Sequence, residues 1–138
     1  MAKPVQLGMG VMIQMLGGNK ETVDAFQASV GETIESVVLE DDTIKVALRN
    51  GKVLVVTDTG QSCCERRWID TDADLPSYSG KAIRGFRRSE YQNKEEAECD
   101  VHDFQSFLID TTEGTIDFVT HVDHNGYYGG FSITASLR

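Results

Sequence analysis

The run HVDHNGYYGGF, residues 121–131, brings together two imidazoles, a carboxamide, three aromatic rings and three glycines. Three kinds of chemistry draw on such groups. The first is metal binding, with His121 and His124 joined by Cys63, Cys64, Cys99 and His102 as further donors. The spacing suits it poorly, because adjacent cysteines project in different directions and lack the two-residue gap that lets paired thiolates reach one tetrahedral ion. Residues three apart on a strand also point to opposite faces, so His121 and His124 converge only if a turn bends them together. The second is nucleophilic catalysis, in which the thiol of Cys63 or Cys64 is activated by His121 or His102 and the imidazole is oriented by Glu65 or Asp58. Against it stands the usual role of a free cysteine as a small buried packing group.

The third is binding without turnover. Aromatic rings stack on a nucleobase, a guanidinium grips phosphate in a two-pronged fork, and carboxamides read base or ribose edges. Tyr127, Tyr128 and Phe131 supply rings, Asn125 and His121 supply polar groups, and Arg66 and Arg67 follow the irregular stretch Gln61–Glu65. Glycines at 126, 129 and 130 let backbone approach a ligand closely. The competing reading is a hairpin and nothing more, since Asn125-Gly126 is a strong turn signal and paired aromatics often staple such turns. The expected pocket lies between the Gln61–Arg67 stretch and the His121–Phe131 hairpin.

Bulk properties narrow the classes. The 138 residues suit one domain with one modest core. A formal net charge of −9 argues against wrapping a long nucleic acid, whose affinity comes from neutralised phosphates. The charge is uneven: residues 66–88 carry +3 and the rest −12, so a small anion has one basic stretch to meet. No apolar run is long enough to span a bilayer or to serve as a secretory leader, and three cysteines, two of them adjacent, do not make a disulfide framework. The expectation is a cytoplasmic protein with reduced thiols, no membrane association and no cofactor.

The elements that must position these groups are mostly strands. Val23, Phe26 and Val30 form the apolar stripe expected of a helix after Asn19, ended by Gly31. Residues 33–40 are rich in β-branched side chains, Ile44, Val46 and Leu48 alternate with polar neighbours, and 52–57 return as the partner strand, with turns at Asp41-Asp42 and Asn50-Gly51. Residues 60–70 show no period and read as loop, and a short acidic-started helix is expected between Thr71 and Gly80. Residues 81–92 read as a strand of mixed faces and 93–100 as an exposed acidic connection. A hairpin over Glu113-Gly114 then puts Ile116, Phe118, Thr120 and Val122 on one face and His121 on the other. The last strand alternates Phe131, Ile133, Ala135 and Leu137 with polar residues. The expected fold is α+β, a single small domain dominated by antiparallel sheet with an N-terminal helix and one short helix. Residues 1–31 are its arm and helix, and 32–138 its β-rich nucleotide-binding part. The apolar arm and the helix stripe point to a homo-oligomer.

The order of these features, with GQSCCE at 60–65, a DL-containing helix ending at Gly80 and TH-x2-HNGYYGGF at 120–131, resembles the first type of phage Thoeris anti-defence proteins. The resemblance covers residues 32–138. It implies a non-enzymatic sponge that sequesters a small cyclic nucleotide, glycocyclic ADP-ribose and in some members cyclic oligonucleotides, in the cytoplasm of the infected bacterial host. The rival reading is a cysteine- or metal-dependent nucleotide hydrolase.

Overall fold

The computed structural model describes residues 20–59, 66–89, 92–97, 100–124 and 133–138. A helix α1 (Lys20–Ser29) leads into strands β1 (Ile34–Glu40), β2 (Thr43–Leu48) and β3 (Val53–Asp58). After β4 (Arg66–Asp70) comes a one-turn 3₁₀ helix, Leu75–Tyr78, and then β5 (Ile83–Arg88), β6 (Gln92–Ala97), β7 (Asp100–Thr111), β8 (Gly114–His124) and β9 (Ile133–Leu137). Two antiparallel sheets result. The first has the order β9-β3-β2-β1; the second has the order β4-β8-β7-β5, with β6 pairing the first half of β7.

The turns explain the register. Asp41 and Asp42 both take positive φ (52° and 57°), the left-handed pair that matches a two-residue hairpin to the twist of its strands. Gly51 and Gly114 (φ 93° and 113°) turn the next hairpins where a side chain would be strained. From Gly114 the β7–β8 ladder runs unbroken to Val101↔His124. Its inner face carries Phe107, Ile109, Ile116, Phe118 and Val122, each fully buried. These join Ile34, Ile44, Val46, Leu54 and Val56 of the first sheet in one core.

Helix α1 belongs to that same core. Phe26 is fully buried and its ring lies 4.6 Å from Phe86 and 5.7 Å from Phe107, while the Thr22 hydroxyl accepts the Ala135 N–H of β9 at 3.1 Å. The helix thus touches both sheets. It ends before Gly31, whose φ of 93° reverses the chain and whose N–H donates to Ile83 O at 2.7 Å.

The α+β architecture expected from the sequence is the one the chain adopts, with four corrections of detail. Residues 66–70, read as loop, are a strand, because pairing with β8 supplies order that the local pattern lacks. Residues 93–100, read as a connection, contribute most of a strand, Gln92–Ala97, that pairs with β7. The helix buries Thr22, Ala25, Phe26 and Ser29 rather than a Val23–Phe26–Val30 stripe, and Val30 is exposed just past its end. The short helix shrinks to one 3₁₀ turn. Asn19, Phe131 and the arm before the helix lie outside the described residues. Among the described residues no helix is long and apolar enough to cross a membrane.

Two outcomes follow from this packing. Phe26→Ala should cost about 3–5 kcal/mol in denaturant unfolding, as for other large core rings; a loss under about 1 kcal/mol would mean that the helix does not seal the core. The second concerns Arg87 and Asp110, held as a fork at 2.6 and 2.7 Å. The Arg87 hydrogen bond, opposed by burial and aided by Thr115, holds the Asp110 carboxyl below its ordinary 3.8. A lowered folded value means stability that is present above 3.8 and fades as pH falls through the lowered one. Because Arg87 is half exposed, the contribution is about 1 kcal/mol or less. Melting temperatures of wild type and Asp110→Asn should differ at neutral pH and converge in strong acid; a gap that persists there would contradict this.

Candidate functional site

Strand alternation sends the residues of β4, β7 and β8 to two faces, and both faces change character toward the same end of the second sheet. On the inner face, the apolar rows built from Phe107, Ile109, Ile116 and Phe118 give way to Thr120 opposite Gln105, then to Arg67, Val122 and Asp103 side by side across three strands. Asp103 and Gln105 are each 1% exposed and Thr120 is fully buried. Arg88 faces the same interior, opposite Phe107. A core face that turns polar is costly unless those groups find partners, so this end is the first place to look for a ligand.

The strongest of these contacts is the ion pair of Arg67 Nη1 with Asp58 Oδ2 at 2.9 Å, the side chains 13% and 6% exposed. It links β4 of the second sheet to the end of β3 in the first. Beside it, the Asp42 carboxylate at the β1–β2 turn accepts the Ile69 N–H at 3.1 Å. Together these two carboxylates fasten one side of the sandwich. The other side is fastened by backbone: Ile34 N–H to Lys81 O at 2.8 Å, Ile83 N–H to Glu32 O at 2.9 Å and Gly80 N–H to Ile34 O at 2.8 Å, around the Thr33–Ala82 bridge.

The same end is where both motif blocks attach. GQSCCE lies in the sequence between Asp58, the end of β3, and Arg66, the start of β4; the HNGYYGGF block begins with His124, the last residue of β8, and precedes Ile133, the start of β9. Asp58 pairs with Ile133, and Arg66 pairs with Asp123. With Arg67 bound to Asp58, the four points of attachment are tied into one group.

On the outer face, Trp68 stacks on His121 with ring centroids 4.7 Å apart and planes 6° from parallel. The Arg66 guanidinium carbon stands 4.9 Å from the indole centroid, a cation–π distance. His102 reaches His121 diagonally across the β7–β8 ladder, Nε2 to Nδ1 at 2.9 Å, and Phe104 sits directly opposite His121. One imidazole must donate and the other accept, so at least one ring of the pair is neutral in this arrangement. Asp70 Oδ2 is 3.2 Å from His121 Nε2 but off its hydrogen-bonding direction, which leaves that buried nitrogen without a hydrogen bond. Asp123 lies 3.8 Å from His102 Nδ1.

Of the residues singled out in the sequence, Arg66 and His121 therefore share the outer face, with Trp68 between them, and Arg67 stands on the inner face, engaged by Asp58. Asn125, Tyr127, Tyr128, Phe131, Cys63, Cys64 and Cys99 lie outside the described residues. Among the described residues no three His, Cys, Asp or Glu side chains are grouped as metal ligands. Sequence reasoning missed Trp68 and the His102–His121 pair. Extending the hairpin register from Gly114 would have found the pair, since it sets His121 opposite Phe104 and next to His102.

Comparison with known proteins gives one family match, over residues 27–134, to a domain of unknown function, DUF7448. No curated protein and no solved structure matches the chain.

The Asp58–Arg67 pair generates a test. Removing either partner leaves a largely buried charge, so Asp58→Ala and Arg67→Ala should each cost about 3–5 kcal/mol in urea unfolding. The double variant should cost clearly less than the two singles together; additive losses would show that the pair does not couple the sheets.

Proposed function

The chain belongs to the DUF7448 family, a domain of unknown function, and from the site itself we propose that it is a non-enzymatic nucleotide-binding protein that captures a small cyclic nucleotide and holds it intact. The observation that carries this reading is that the strand ends leading to and from the GQSCCE and HNGYYGGF blocks lie together at a polar end of the core. Asp58, Arg66, Arg67, Asp123 and Ile133 bring these ends together, and the inner face there is polar, with Arg67 paired to Asp58, the Gln105 amide donating to Ser89 O and the Thr120 hydroxyl donating to Gln105 O at 2.6 Å. A tight, non-turning-over site needs such preformed polar groups inside a water-excluding shell. The ring-bearing residues Tyr127, Tyr128 and Phe131 and the amide of Asn125 belong to one block, while Arg66 and His121 stand at the roots. In this reading the rings stack on the base and the cationic groups meet the pyrophosphate.

The resemblance to phage Thoeris anti-defence proteins supplies the ligand class: glycocyclic ADP-ribose, sequestered in the infected bacterial host. An acidic exterior is compatible with an anionic ligand when the arginines gather at one end, and residues 66–88 are the basic stretch of the chain.

The test is a calorimetric titration with glycocyclic ADP-ribose and a panel of cyclic dinucleotides, followed by heat denaturation of the complex. Sequestration returns the ligand unchanged after heating; a hydrolase returns product, and that outcome overturns the proposal. Arg66→Ala and Tyr128→Ala should each weaken capture at least about tenfold, with Arg138→Ala, at the far end of β9, as the unaffected control. Arg67→Ala is a poor probe here because it also breaks the pair with Asp58.

A further inference from the structure

Four imidazole nitrogens and two carboxylates meet on the outer face of the second sheet. His102 Nε2 and His121 Nδ1 face each other at 2.9 Å, with the two side chains only 19% and 15% exposed. That contact holds one proton, since one ring donates and the other accepts. The remaining nitrogens face carboxylates, His121 Nε2 at 3.2 Å from Asp70 and His102 Nδ1 at 3.8 Å from Asp123. The pair keeps its contact whether it is neutral or carries one charge. A second charge ends it, because both facing nitrogens are then donors.

The surrounding charges decide how strongly a second positive ring is opposed. From β4, Arg66 stands against Trp68, whose indole is stacked on His121, and from β6, Lys94 holds the register position opposite His102. Both cations oppose further positive charge. Asp70 of β4 and Asp123 of β8 favour it, and Asp100 occupies the same face of β7 two residues before His102. The Asp70 and Asp123 side chains are 61% and 42% exposed, so each gains little from a neighbouring charge in water. The rings are largely buried, with centroids 5.0 Å apart, and two imidazolium groups there repel each other and meet donor to donor.

We propose that the His102–His121 pair is a proton-operated latch, closed while at most one ring is charged and open once acid charges both. Free imidazoles take up protons independently near about pH 6.5, and the open arrangement lets both rings do so, whereas the closed one holds one proton fewer. Closure is therefore favoured above that range and is lost as pH falls below it, by about tenfold for each pH unit. The latch joins β7 to β8 beside the Arg66–Asp123 pairing, and Trp68 carries its effect to β4. Acid thus loosens the end of the second sheet where the strands leading to both motif blocks meet. The latch is a property of the fold and holds whatever the site binds.

Trp68 is the only tryptophan in the chain, so the wavelength of its emission reports exposure of this stack to water. The experiment follows that wavelength, and the amide exchange protection of β4 corrected for intrinsic rate, from about pH 8 to about pH 5 in wild type and in His102→Gln. A glutamine side chain both donates and accepts, so it keeps a contact with His121 in either charge state. Wild type should shift to longer wavelength in acid, with β4 protection falling about tenfold for each pH unit; His102→Gln should show neither change. An equal acid response in His102→Gln overturns the latch. Where that variant does not fold, the ring nitrogen NMR shifts of wild type decide. A second proton that arrives together with the loss of β4 protection supports the latch, and both rings fully protonated with protection unchanged overturns it.

Discussion

The ion pair between Asp58 and Arg67 is the contact on which the rest of this architecture turns. Sheets of this size need closure on both sides, and here the two closures are chemically unlike. Around Thr33 and Ala82 the sheets are joined by backbone hydrogen bonds that any sequence could make. At the opposite side, the carboxylates of Asp42 and Asp58 join β4 to the first sheet. That side depends on side-chain identity. A largely buried ion pair adds little net stability over a well-packed apolar pair, yet removing either partner strands a buried charge at a cost of about 3–5 kcal/mol. The pair lies where the strands leading to and from both motif blocks meet.

The division of the second sheet into two faces gives the site its chemical range. Alternation places Arg66 outside and Arg67 inside, although they are adjacent in the sequence. The outer residue rests against an indole and an imidazole, and the inner one is locked in an ion pair. Basic charge that looks like a single patch in the sequence is thus split between a solvent-facing role and an internal one. The Trp68–His121–His102 group on the outside is a stiff stack, and it braces β4, β8 and β7 against one another at the end where polar groups replace the hydrophobic core.

Much of the fold was legible because its turns carry their own signals. Asp41-Asp42, Asn50-Gly51 and Glu113-Gly114 mark hairpins whose strands alternate cleanly, and β8 and β9 show their buried faces in plain period-two patterns. The strands β4 and β6 escaped because neither carries a plain apolar period of its own, and each gains its order from its neighbour, β8 or β7. In β4 the alternation is present but inverted in type, with Arg67 facing the core and Trp68 facing solvent, so a reading by hydrophobicity sees no period. The helix was placed correctly while its face was not, because Thr22 and Ser29 are buried as hydrogen-bonding residues, one to Ala135 and one to Ala25. The candidate site was legible only in part. Arg66 and His121 could be named from residue type, but Gln105 and Asp58 look ordinary in sequence and gain their meaning from register.

The contact between Thr22 and Ala135 spans 113 residues, and it constrains the order in which the chain can be finished. Helix α1 is made well before β9, against which it packs. Until that strand leaves the ribosome, the helix has no complete surface to dock on. The hairpins β1–β3 and β7–β8, being local, can form as they emerge. The helix–strand seam therefore closes between segments made 113 residues apart, and the Phe26 ring gains its aromatic partners only once Phe86 and Phe107 have been made.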